Sequence, residues 1–320
     1  MIDERFMMKV VTMYYKRGLS QVDIGKHLNV SRMTVARALE QARKEGYVQI
    51  QINFPENSAV DEEEFLEKKF HLKEAIIAYP REGQVIDEIG FLTADYIIRV
   101  LKNHMTLALT KGITLQKAVQ YLQNDMRLRM KKYKDVKVVS TAGANNPPED
   151  ADENYRLAYS NYLIDETARI LKVKAYQIMA PLIVADKQTK QRLMEESTVS
   201  SVMELAKNAD VAVFGIGTMD QNTTVLNTDI IPKGEFDRLK EKGGVGEILC
   251  HIFDENGDLI EDEFHDRLVS ISFEDLKKIP IRVGVAYGKE KRKAILGALK
   301  SGIVNVLITD METAQYLANV

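Results

Sequence analysis

The sequence holds a single cysteine, Cys250, in 320 residues. That scarcity excludes a disulfide within the chain and any cysteine-rich zinc site. No apolar run approaches the roughly 20 residues that a membrane span requires, and the first residues carry no secretory pattern, so the expected location is the cytoplasm. Internal repeats and low-complexity segments are absent. Net charge is also small, at −3, but it is unevenly spread. Residues 1–58 hold nine Lys and Arg against six Asp and Glu, a balance of +3 that leaves −6 for the remainder. With 45% hydrophobic and 28% charged residues the composition is that of a folded globular protein. The length suits two domains, the larger able to bury a full α/β core.

What is present begins with two short, capped helical stretches joined by a tight turn, the layout of a helix-turn-helix. Ser20 precedes the short amphipathic stretch Gln21–Leu28, Asn29-Val30 forms a turn, and Ser31 precedes Arg32–Leu39. Each serine is placed to cap a helix start. Val22, Ile24 and Leu28, then Met33, Val35, Ala36 and Leu39, are expected to face inward, with Gly25 where the two helices approach closely. An upstream helix, about 4–17, contributes Phe6, Val10, Met13 and Tyr14 to the same small core. A recognition helix reads base edges from its N-terminal residues, which assigns Arg32, Thr34 and Arg37 to the major groove and Ser31 and Gln21 to phosphates. The alternating run Tyr47–Asn53 reads as a strand. One module of +3 makes few phosphate contacts, so oligomerisation is implied.

Residues 1–55 are therefore read as a helix-turn-helix domain, 56–72 as a linker helix and 73–320 as an α/β ligand domain. The linker, with its hinge near Pro55–Val60, either pairs with a sister chain or lies on the surface of the large domain. From residue 74 onward, short apolar runs alternate with amphipathic stretches. The runs are Ala75–Ala78, Met105–Leu109, Val136–Ser140, Val211–Phe214, Arg282–Ala286 and Val304–Ile308. This is the pattern of a mostly parallel, Rossmann-like sheet covered on both faces.

Ligands of such sheets bind beyond the C-terminal strand ends. The loops there are Thr110–Thr114, Ser140–Asn146, Gly215–Asp220 and Gly288–Lys291. Glycines, hydroxyls and helix-start amides in these loops suit a phosphate. Gly215-Ile216-Gly217 has Asp220 where a dinucleotide site needs its third glycine, which argues against NAD, and no cofactor is expected. Cys250, flanked by Ile248, Leu249 and Ile252, reads as a buried thiol in a strand. His251 and His265 stand among Asp254, Asp258, Glu261, Asp262 and Asp266, yet their spacing fits no metal-ligand pattern. A solvated acidic surface is the better account, and no metal is expected.

These loops are also where a family resemblance lies. Ala209–Thr218, Gly244–Ile248, Phe253–Gly257, Ile279–Ala286 and Ile308–Asp310, together with Ala180–Val184, resemble the SorC family of sugar-responsive bacterial transcription regulators. The likeness extends across nearly the whole chain. It implies a domain related to ribose-5-phosphate isomerase and glucosamine-6-phosphate deaminase that has lost catalysis and kept a sugar-phosphate pocket. It further implies a repressor of a carbohydrate-utilisation operon, a homotetramer built as a dimer of dimers, whose hold on operator DNA changes with a phosphorylated sugar. Carried over by position, Gly112 and Thr114 hold phosphate, Lys291 reaches it, and Glu247 bonds sugar hydroxyls. Thr141 adds a neutral donor and Gly143 sits in a loop that the ligand would order. Lys111 either neutralises phosphate or points outward. Ile113 and Tyr287 depart from the family pattern at the expected pocket. The rival reading is a sugar-phosphate isomerase or deaminase fused to a DNA module, with Asp220, Glu247 and His251 as available acid–base groups.

Overall fold

The computed structural model describes residues 3–50, 58–79, 84–145, 159–221, 223–227 and 230–320. Two compact units divide the chain, Met1–Asn57 and Ser58–Val320.

In the first unit, helices α1 (Glu4–Val11), α2 (Gln21–Leu28) and α3 (Arg32–Lys44) surround a small core, with a π-helical turn, Thr12–Lys16, extending α1. Val10, Met13, Ile24, Val35, Ala38 and Leu39 are buried there, and Phe6, Tyr14 and Leu28 pack against them. Ser20 Oγ accepts from the Asp23 amide and Ser31 Oγ from the Thr34 amide, both at 3.1 Å. Asn29, at φ 60°, closes α2 in the left-handed conformation. A Cβ on Gly25 would lie 2.9 Å from the Val30 carbonyl oxygen, so only glycine lets the turn fold back this tightly.

Three expectations fail in this unit. Val22 and Met33 are not core residues; they are 48% and 65% exposed. Each stands two positions before the inward residues Ile24 and Val35, and a two-residue step crosses to the far side of a helix. The run expected as a strand is irregular from Tyr47 to Ile50, and 51–53 lie outside the described residues, as do 55–57 of the hinge. After Gly46 the chain is tied back to the helices instead. The Val48 amide bonds the Ala42 carbonyl, and Tyr47 Oη donates to Glu4 Oε1.

The second unit is a seven-stranded, wholly parallel sheet in the order β1-β10-β9-β5-β2-β3-β4. Its strands are β1 (Glu74–Ala78), β2 (Thr106–Leu109), β3 (Lys137–Ser140), β4 (Lys174–Tyr176), β5 (Val211–Gly215), β9 (Ile281–Val285) and β10 (Val306–Asp310). All six expected runs are in it. The fourth strand, Lys-Ala-Tyr, has no apolar run to mark it in the sequence. Side chains alternate between two cores. Ala212 and Phe214 enter one, whereas Val211 and Val213 enter the other. Helices α5 (Val85–Val100) and α6 (Ile113–Asn124) pack against the second core, with Gly90 where they cross. Helix α4 (Val60–Phe70) belongs to this unit. Its Leu66 is fully buried, and Glu67 and Glu63 accept the amides of Ala75 and Ile77 on the edge strand β1.

A smaller antiparallel sheet follows β5, formed by β6 (Gly217–Thr218), β7 (Gly246–Ile248) and β8 (His251–Phe253). It shares a third core with Met219, Phe236, Leu239 and Phe264. After β2 the chain winds toward β4; after β5 it winds the other way, toward β9 and β10. That reversal between β2 and β5 leaves a crevice at their C-terminal ends.

Candidate functional site

A cavity of about 710 Å³ opens at this crevice, within the range of small-molecule sites. Lys111, Gly112, Thr114, Thr141, Gly143, Glu247 and Lys291, chosen from separate stretches of sequence, all line it. The minor sheet brings Glu247 opposite the loop after β2, and the loop after β9 brings Lys291.

Gly112, at φ 145°, precedes α6 and offers no side-chain cap. The first helical bond runs from the Gln116 amide to the Gly112 carbonyl, so the amides of residues 113–115 precede the hydrogen-bonded ladder. Such a start attracts anions. Beside it, Lys111 Nζ is buried without a hydrogen-bond partner. Lys291 also enters none of the described ion pairs. Burial pushes its ammonium below the ordinary lysine range, against the pull of the Glu247 and Glu290 carboxylates. Thr141 Oγ1 donates to the Leu109 carbonyl at 3.3 Å.

Gly143 lines the cavity, but its amide is already bonded to the Val269 carbonyl. Its lack of a side chain serves packing: a Cβ there would lie 2.6 Å from the carbonyl oxygens of Ala180 and Pro181. Asn146, the end of that loop, lies outside the described residues. Asp220, Tyr287 and Ile113 also line the cavity.

Two features were not anticipated. Leu249 and Cys250, at φ 57° and 62°, form the left-handed two-residue turn joining β7 to β8. Both line the cavity. Neither is a usual residue for such a turn, which is why the stretch reads as a strand. Cys250 is buried but not in a strand; burial pushes its thiol up to about 12, and its amide donates to Glu247 Oε2 at 2.9 Å. The second feature is Asp310. Its carboxylate accepts the Thr313 amide and hydroxyl and also the Gly288 amide at 2.8 Å, which fixes the loop that carries Lys291.

The histidines are not on a solvated surface. His251 is 7% exposed, and its Nε2 lies 2.9 Å from both the Ile271 carbonyl and Ser270 Oγ. His265 Nε2 accepts the Ile252 amide. His251 begins β8, which the hairpin turns back into the protein interior, and the half-buried His265 stacks its ring on that of His251. Among the described residues no group of three or more His, Cys, Asp or Glu side chains is arranged to hold a metal.

In the first unit, Arg32 and Arg37 are exposed on α3 and enter no described ion pair or side-chain bond. Thr34 is half-buried, its Oγ1 2.9 Å from Ser31 Oγ. Both hydroxyls therefore help to close the helix start. Gln21, half-buried, begins α2.

No helix of the described residues is long and apolar enough to cross a membrane. Residues 55–319 match the family described as "Putative sugar-binding domain", and residues 7–45 match sigma-70 region 4. The transcriptional regulator LsrR of Enterobacter sp. (strain 638) is 30% identical over 318 residues, 98% of this chain and 92% of that protein. LsrR of Escherichia coli O139:H28 is 29% identical and is covered to 94%. Among solved structures, the full-length sorbitol operon regulator SorC from Klebsiella pneumoniae superposes with a TM-score of 0.74 at 26% identity, over 98% of each chain. A DeoR family regulator from Listeria monocytogenes gives 0.72 at 25% identity, over 82% of this chain and 100% of that one. These relatives are regulators and not enzymes, and the likeness to LsrR and SorC covers 98% of the chain. It belongs to the SorC family of sugar-responsive, DNA-binding transcriptional regulators of carbohydrate metabolism.

Proposed function

We propose that the effector is a phosphorylated sugar bound in the cavity of the α/β domain, and that it sets the hold of the helix-turn-helix on operator DNA. In this reading residues 1–55 read the operator, 73–320 sense the ligand, and 56–72 join them. The observation that carries it is Lys111 Nζ, buried and unpartnered in a cavity that also holds Lys291 and the start of α6. A buried ammonium without a partner is costly. A phosphate supplies the missing charge and accepts the free amides, whereas a neutral sugar leaves the ammonium uncompensated. Thr114 donates to the ligand, and Thr141 Oγ1, its proton held by the Leu109 carbonyl, accepts from a ligand hydroxyl. Glu247 also accepts from ligand hydroxyls, and Gly112 lets the phosphate approach the backbone. Gly143 shapes the wall.

On DNA, Arg32, Thr34 and Arg37 meet base edges while Ser31 and Gln21 contact phosphate. The protein acts in the cytoplasm as a repressor, in a homotetramer whose protomer packing shifts with ligand. A thermal-shift screen against sugars and their phosphates tests the sensing half. Stabilisation by one sugar phosphate and none by the parent sugar is the expected result; equal response to both refutes the phosphate. Adding that ligand to the DNA complex then decides between release and tightening.

A further inference from the structure

Met33 is the residue of the recognition helix that the fold leaves unexplained. It is 65% exposed, in the first turn of α3, between Arg32 and Thr34. Val35, Ala38, Leu39 and Ala42 are the buried residues of this helix. At about 100° per residue, Met33 lies about 180° from the middle of that buried face, at the centre of the outward one. Arg37 stands four positions on, on the same side.

The surroundings are cationic. Arg32 and Arg37 are exposed and unpaired among the described residues, while the acidic side chains farther along are already engaged, Glu40 by Lys44 at 2.9 Å and Glu45 by Gln41 at 2.8 Å. An apolar side chain between two free guanidinium groups suits a surface that is anionic overall and carries isolated apolar groups. In the major groove that apolar group is the thymine 5-methyl. Methionine fits it well, being unbranched, flexible and polarisable.

We infer that Met33 is a specificity-determining residue that packs on the 5-methyl group of a thymine in each operator half-site. The inference rests on the DNA-reading role proposed above for α3.

The test uses the full-length protein and duplexes that it selects from a randomised pool. In the best of these, each thymine is replaced in turn by deoxyuridine, which removes only the methyl group. Wild type should lose affinity about fourfold at one thymine per half-site, the effect of burying one methyl. Met33→Ala should bind more weakly and be indifferent to that replacement. Met33→Leu, which keeps an apolar surface, should recover the sensitivity. If binding is strong and sequence-specific yet no thymine shows this coupling, or wild type and Met33→Ala lose equally, Met33 does not read the methyl and the DNA role of α3 stands. If no duplex is enriched, the DNA-reading role fails and takes the inference with it.

Discussion

Glu247 lies across the β6–β7 ladder from Gly217, and its carboxylate occupies the space that a side chain at residue 217 would need. A Cβ built on Gly217 would come within 2.2 Å of Oε1 and 2.8 Å of Cδ. The same carboxylate is held from behind by the Cys250 amide. Gly217→Ala should therefore displace Glu247 from the cavity wall. We expect a stability loss of about 1–2 kcal/mol, typical of overpacking, together with loss of the ligand-induced thermal shift and retention of DNA binding. An undiminished shift would separate Glu247 from the ligand.

Lys111→Met should leave the unliganded protein as stable as wild type or more so, because it removes a buried ammonium that has no partner. Its response to sugar phosphate should vanish. Melting curves with and without ligand check both halves; a large loss of stability in the free variant would mean that the ammonium has a structural role.

Gly25→Val should destabilise the first unit by about 2–3 kcal/mol, since the added Cβ meets backbone rather than a movable side chain. Operator binding should fail while the ligand-induced shift of the second unit persists. Retained operator binding would show that the turn can open.

Arg37→Ala should weaken specific binding by about 1–3 kcal/mol if the guanidinium reads a base. Competition against non-specific duplex checks this. An equal loss on both duplexes would make Arg37 a phosphate contact instead.

The pH dependence follows from the buried histidines. Burial pushes His251 from 6.5 down to about 4 and lowers His265 as well. Between these values the unfolded chain binds protons that the folded one refuses, so stability rises with pH across this window. It is complete above about 6.5 and lost as the pH falls toward 4. The His251 contribution is on the order of 3 kcal/mol. His251→Gln should flatten the profile in chemical denaturation at pH 4–7, and an unchanged slope would remove His251 as its source.

Most of the site was legible because its residues follow apolar runs. Thr110–Thr114 follows β2 directly and Gly288–Lys291 follows β9 after two residues, and a run ending in glycine and polar residues marks a strand end in any parallel sheet. Leu249 and Cys250 were illegible for the opposite reason. Their left-handed backbone is imposed by hairpin closure and by the Glu247 bond, and nothing in the side chains announces it. Met33 and Val22 face outward despite being apolar, because phase within a helix, and not apolar character alone, decides which residues reach the core. The burial of His251 depends on the fold of a minor sheet that local sequence pattern does not disclose.

The carboxylates that α4 lays on β1 also restrict how copies of this protein can associate. Glu63 and Glu67 occupy two outward amides of that edge strand, so no strand from a neighbour can lengthen the sheet there without first prising the helix away. The opposite margin, β4, is three residues long and begins with an exposed lysine, a poor template for strand addition. Association through the edges of the main sheet is thereby disfavoured, which leaves its helical faces and loops as the better surfaces for a neighbour. Those are surfaces that can slide or rotate by small amounts, unlike a hydrogen-bonded ladder that must break to move.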